Sequence, residues 1–507
     1  MVDTSPKIFV PSPAARIRCL IEDPVRVFLW VFLGFFFIVR SGATIHCPDQ
    51  FSDHMVLQRD VPVPIWGTAT AGQVVTVAFA GQIKEATAGS DGRWEVALDP
   101  LLASAEPRTV TIRGADQTLR FDDVLVGEVW FCSGQSNMEK SFFGGPGQKP
   151  VDNFELEVAA AHFPSLRLFK IPRTDKPQAG PGVTTWLRCS PAALRESEFS
   201  AAAYFFGQQI HQTLNVPVGL MLSSLGGTSI DAWMPRSVYA DSFAGADGKG
   251  GKFAHASELF EGMVAPYAPF AVRGFLWYQG ERNLGNGDVE HYAEKQAALI
   301  EAWRQAWRRP DAPFFGVLLV PMKYSNASRK LVTAEALPLF WQQQVKALSA
   351  PRTGFVVTTD LVSDFHDIHP TNKRDVGLRL ARLALAETYG YSDITARGPT
   401  FRGMSIEGRE IVINLDHAAG LRARDGEPLT DFSIADRRRE FRPATARIED
   451  NRVVVSSDDL AEPVAVRFAW SESAHPNLIN GAGLPAVPFR TDDWPVSYRR
   501  IDPNDTN

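Results

Sequence analysis

Residues 123–138 read DVLVGEVWFCSGQSNM: an apolar run with almost no alternation, closed abruptly by small and polar residues. A run of that kind fits a strand buried on both faces, and such strands belong to parallel sheets covered by helices. Four more runs follow the same pattern: VGLMLSS (218–224), VRGFLWY (272–278), FFGVLLV (314–320) and GFVVTTD (354–360). Helical patterns lie between them, at 201–214, 291–309 and 339–348, with another after the last at 372–389. Strands alternating with helices predict a doubly wound α/β domain over 122–392, with about five parallel strands and right-handed crossovers.

The texture changes on either side. From 44 to 121 short strands alternate apolar and polar residues, as in VVTVAF (74–79) and RWEVAL (93–98), and a turn signal stands at Asp91-Gly92. Alternation returns in REIVINL, RVVVSS and PVAVRFAW between 393 and 507. Both blocks read as β-sandwich domains. The glycine-rich ADGKGGK (246–252) reads as a loop.

Thirteen apolar residues from Val27 to Val39 follow Arg16, Arg18 and Arg26 and precede Ser41, Gly42 and Ala43. A membrane span needs about 20 apolar residues, so 1–43 reads as a secretory signal cut near Ala43, or as an uncleaved N-terminal anchor. The protein is expected outside the cytoplasm, periplasmic or extracellular. The 507 residues are 45% hydrophobic and 22% charged, which is globular composition and excludes a disordered or coiled-coil protein. A net charge of −6 without a basic block argues against nucleic-acid or anionic-membrane partners. Four cysteines without a C-x-x-C pair argue against a structural zinc module. Oligomeric state is not legible.

In an open parallel sheet, ligands bind beyond the carboxyl ends of the strands. Four of the five strand ends carry suitable sequence: Ser133–Met138, Leu225–Thr228, Gln279–Asn283 and Asp364–Pro370. Acyl transfer needs a nucleophile, a base, a group that orients the base, and donors for the oxyanion. Ser136 is the candidate nucleophile, since Gly134 permits a tight strand-to-helix turn. His369 is the candidate base, with Asp367 to orient its ring and Asp364 as the fallback. The main-chain N–H groups of Ser136 and Gly227 and the side-chain amide of Gln279 would form the oxyanion hole. Asn137, Glu281 and Arg282 are candidate substrate contacts. A metal pair at His366 and His369 would need a further ligand cluster that the sequence does not offer, so neither metal nor cofactor is expected. A glycosidase using Glu281 with Asp367 would leave the Ser136 and Gly227 segments without a role.

The segments GEVWFCSGQSNM (127–138), SSLGGTSIDAW (223–233), GMVAPYAPFAVRGFLWYQGERN (262–283) and DIHPTNKRDVGLRLA (367–381) resemble the sialate O-acetylesterase family of SGNH-type serine hydrolases. The flanking FSDHMVLQRDVPVPIWG (51–67), PVAVRFAWSES (463–473) and NLINGAGLPAVPFRTD (477–492) are similar as well, so the resemblance spans nearly all of the chain after residue 43. It implies a three-layer α/β/α domain between two β-domains, and hydrolysis of acetyl esters on a sugar or polysaccharide. Ser136 falls on the family's nucleophile, His369 on its base, and Gly227 and Gln279 on its oxyanion positions. The resemblance also implies a disulfide between Cys132 and Cys189, leaving Cys47 free. Arg282 stands where the family usually has serine, and Leu225 where it often has tryptophan; both bear on substrate identity, and a sialate carboxylate would need a cation, which Arg282 could supply. A carbohydrate-binding protein that keeps the scaffold without catalysis is the alternative.

Overall fold

The computed structural model describes residues 44–145, 147–173, 184–243, 255–326 and 331–500. The expected signal or anchor at 1–43 and the loop at 246–252 lie outside them. The decisive segment forms a 17-residue strand, β1 (Thr118–Gly134). Its first six residues alternate between exposed and half-buried, and its last eleven are buried without exception. The change follows the partners. The first part pairs antiparallel with Ser104–Arg113. The second lies between parallel strands.

Where the character changes, Asp123 adopts left-handed backbone, φ +57°. Its carboxylate accepts from Arg167 and His54, each at 2.7 Å, and from Arg188 at 2.8 Å. Against the upward push of burial, these hydrogen bonds and the Arg167 charge hold the Asp123 carboxyl down at about 2.

The other parallel strands are β2 (Phe163–Lys170), β3 (Val218–Ser224), β4 (Gly274–Tyr278), β5 (Phe314–Val317) and β6 (Thr353–Val356). Their order is β2-β3-β1-β4-β5-β6, and Leu187–Cys189 adds an antiparallel edge to β2. The sheet thus has six parallel strands rather than five. The additional one, FPSLRLFK, is interrupted by Pro164, Ser165 and Arg167, which hide its apolar character. Arg167 is nonetheless buried, because the carbonyls of Pro164 and His54 and the Asp123 carboxylate take up its donors.

Six helices matter for the site: α1 (Ser136–Glu139), α2 (Ala201–Leu214), α3 (Glu281–Gly285), α4 (Tyr292–Ala306), α5 (Ala336–Ala347) and α6 (Arg374–Glu387). Alternate residues of each strand face opposite layers. Phe131, Phe275 and Trp277 join Trp303 and Trp341 from α4 and α5, whereas Trp130, Cys132 and Leu276 join Phe206 and Leu380 from α2 and α6. This is an α/β/α arrangement. Further antiparallel sheets follow it, one formed by Thr400–Glu407, Glu410–Asp416, Arg452–Ser456 and Thr445–Glu449. Among the described residues no helix is long and apolar enough to cross a membrane.

The register corrects the expected disulfide. Cys132 lies level with Leu222 of β3, which lies level with Lys170 at the end of β2. Cys189 pairs with Phe163 at the opposite end of β2. β3 and β2 stand between β1 and the edge strand that carries Cys189, three strand spacings of about 4.8 Å each, whereas a disulfide needs Cα atoms within about 7 Å. Cys47, Cys132 and Cys189 are all free thiols, and burial pushes Cys47 and Cys189 up to about 12. Alkylation after denaturation without reductant should therefore modify each of these three cysteines separately. Recovery of a peptide pair joined through Cys132 and Cys189 would contradict the register.

Candidate active site

β3 and β4 flank β1 on opposite sides, and in doubly wound sheets ligands bind beyond the carboxyl ends of such strands. Gly134 ends the strand with φ +139°, and a Cβ there would meet the Tyr278 carbonyl oxygen at 2.2 Å. Only glycine fits so close an approach at that backbone conformation. Gln135 is extended and donates its N–H to that same carbonyl, and Ser136 opens α1. The turn leaves Ser136 half-buried while its neighbours Gln135 and Asn137 are buried.

His369 reaches this point from the loop after β6. Its Nε2 lies 2.8 Å from Ser136 Oγ. Two short side-chain-to-backbone turns shape the loop: Asp364 accepts the His366 N–H at 2.9 Å, and Asp367 accepts the His369 N–H at 2.8 Å. Asp367 thus accepts from the main chain of His369 and not from its ring, and Nδ1 has no hydrogen-bond partner among the described residues. The fallback, Asp364, sits 3.7 Å from Lys149 at the surface. Burial, with the charges of Lys373 and Lys140, pushes His369 down to about 4, and Asp367 opposes them.

The glycine turn after β3 packs directly on the nucleophile. A Cβ on Gly226 would lie 3.2 Å from Ser136 Cβ. The Gly226 N–H donates to Glu139 Oε2 at 2.9 Å, and that carboxylate also pairs with Arg173 at 2.7 Å. Gly227 follows with φ +75°. Among the described residues neither the Gly227 N–H nor the Ser136 N–H has a partner, so both remain open to a ligand.

Three expected roles change. Gln279 is fully buried, and its Nε2 donates to Asn283 Oδ1 at 2.7 Å, Thr228 O at 3.0 Å and Gln135 Oε1 at 3.2 Å. Its Oε1 accepts from Tyr292 at 2.8 Å. With two N–H groups facing three protein acceptors, the amide has no donor left for an oxyanion. Gln279 braces the turn instead. Asn137 and Glu281, expected as substrate contacts, are buried and bonded to each other. Burial raises the Glu281 carboxyl above its usual range, and that burial together with the bond to Asn137 keeps it from contact with a bound sugar. Arg282 is half-buried at the start of α3, its N–H donating to Gln135 Oε1 at 3.2 Å.

The sequence reading passed over Glu139 and Lys373. Lys373 stands inside a segment already singled out and Glu139 one residue past another, but only the contacts reveal that Glu139 holds the glycine turn and that Lys373 lies buried beneath the serine. A hydroxyl in contact with an imidazole, beside two open N–H groups, is equipped for nucleophilic attack on a carbonyl carbon with stabilisation of the resulting oxyanion.

Comparison with known proteins places the chain in a family. Residues 126–386 match the family model described as carbohydrate esterase, sialic acid-specific acetylesterase. The human sialate O-acetylesterase is 30% identical over 495 residues, covering 89% of this chain and 93% of the human protein. That of Pongo abelii is 29% identical with the same coverage. The crystal structure of a carbohydrate acetylesterase from Xanthomonas citri is similar with a TM-score of 0.81 at 36% identity, covering 89% of this chain and all of that one. On the strength of the matched region and the near-complete coverage, the chain belongs to the carbohydrate esterase, sialic acid-specific acetylesterase family.

Proposed function

We propose that this protein is an exported serine esterase that removes O-acetyl groups from sugars, either O-acetylated sialic acid or an acetylated polysaccharide. The observation that carries the reading is the 2.8 Å contact between Ser136 Oγ and His369 Nε2, beside the open N–H groups of Ser136 and Gly227. Neutral His369 takes the Ser136 proton as the oxygen attacks the acetyl carbonyl. The two N–H groups hold the oxyanion. As the tetrahedral species collapses, the sugar hydroxyl leaves with the proton from His369. Water, deprotonated by His369, then cleaves the acetyl-serine and releases acetate.

Export is supported by the basic residues and apolar run that precede residue 44. Metal independence is supported by the serine and the histidine, which together supply nucleophile and base. The non-catalytic alternative leaves the serine–histidine contact without a purpose.

Replacing Ser136 by alanine should lower acetate release from an aryl acetate by roughly 10⁴-fold or more, while EDTA leaves the parent protein unchanged. Retained turnover in the variant, or loss with the chelator, would count against a metal-free serine esterase.

The base must be neutral to work, so activity falls as pH drops through the His369 pKa. An ordinary histidine would place that limb near 6.5; burial and the two lysines move it down to about 4. The profile of kcat/KM against pH should accordingly stay high through pH 5 and fall near 4. A limb at the ordinary histidine value would show that the lysines do not act on His369 as described.

A further inference from the structure

Directly beneath the serine, the chain buries a charged residue that the chemistry above does not use. Lys373 precedes α6, is fully buried, and donates from Nζ to Asn137 Oδ1 at 2.6 Å. Asn137 Nδ2 faces the other way, donating to the Ile368 carbonyl at 2.9 Å and to Glu281 Oε1. The chemistry of the partners fixes this amide: an ammonium can only donate and a carbonyl can only accept. Asn137 is the residue after the nucleophile, and Ile368 is the residue before the base. One side chain therefore ties the turn carrying Ser136 to the loop carrying His369, and Lys373 anchors that side chain.

We propose that Lys373 is a positioning residue for the Ser136–His369 pair, clamping the serine turn against the histidine loop through Asn137. Desolvating an ammonium is costly, and a neutral side chain would fill the space without that cost. The return is geometric. A serine and an imidazole carried by separate segments must be held to within a fraction of an ångström, and a misplacement of about 1 Å can cost 10²-fold in rate. The proposal rests on the serine-esterase reading.

The ammonium has a second effect. His369 is faced by Lys373 at the start of α6, by Lys140 at the end of α1 and by Asp367 on its own loop. Lys373 in turn faces Lys140, Glu281 and Asp367, and its Nζ lies 5.2 Å from the centre of the Tyr278 ring. Burial and Lys140 bring Lys373 down to about 7, so it is charged throughout the acid limb of activity. Removing it takes one positive charge away from His369.

The test compares Ser136→Ala, Lys373→Met and Asn137→Ala on an aryl acetate, with folding checked by cooperative thermal melting. Lys373→Met should lower kcat by roughly ten- to a hundredfold with little change in KM, and should move the acid limb upward by about half a unit or more. Asn137→Ala should show the same kcat loss without moving the limb, because it breaks the clamp and keeps the charge. A folded Lys373→Met with near-parental kcat, or with lower kcat and an unmoved limb, overturns the proposal. So does near-parental kcat in folded Asn137→Ala. Failure of both to fold would assign the bridge to stability and overturn it equally. If Ser136→Ala keeps its turnover, the esterase reading itself has failed; if it alone is inactive, that reading stands and only the positioning role falls.

Discussion

Strand β1 is hydrogen-bonded along both edges in its carboxyl-terminal half, to β3 and to β4, and is buried on both faces. Its last residue consequently has no freedom to shift, and everything catalytic is referred to that point. Gly134 approaches the Tyr278 carbonyl too closely for any side chain. The following turn then lifts Ser136 out of the buried layer by a fixed amount. The glycine turn after β3 packs on one side of it, and the buried amide of Gln279 after β4 braces the other. The same strand pairs antiparallel with Ser104–Arg113 at its other end, so the ladder that positions the nucleophile also ties in the N-terminal strands.

Beneath this turn buried polar groups bond to one another, with Glu281 Oε2 left without a hydrogen-bond partner among the described residues. Gln279, Asn283, Thr228 and Tyr292 form one set; Asn137, Glu281 and Lys373 form another. Such networks rigidify a site when their members are matched, and leaving one partner unpaired costs about 1–3 kcal/mol or more. Here they hold backbone rather than substrate. They leave free the two N–H groups, the hydroxyl and the imidazole, which supply oxyanion donors, nucleophile and base.

The strands were legible where their apolar runs were unbroken, and β2 was missed because Arg167 interrupts its run while its charge is answered by Asp123, far away in sequence. Ser136, Gly227 and His369 could be picked out because each follows a strand end, a consequence of topology. The roles of Gln279, Asn137 and Glu281 were misread for the opposite reason. Whether an amide faces a crevice or a set of buried carbonyls depends on neighbours such as Thr228 and Tyr292, which no local pattern announces. The cysteine pairing came from resemblance alone, and strand register sets the two residues at opposite ends of β2.

The account turns on a covalent acetyl-serine at one position. Acid-quenched mass spectrometry of the protein during turnover of a rapidly acylating aryl acetate reads that directly. The expected result is a single acetyl group on the peptide containing Ser136, absent from the alanine variant and lost on longer incubation at neutral pH. Turnover with no acetylated peptide under conditions where deacylation is slowed, or an acetyl group that turns over on another residue, would contradict it.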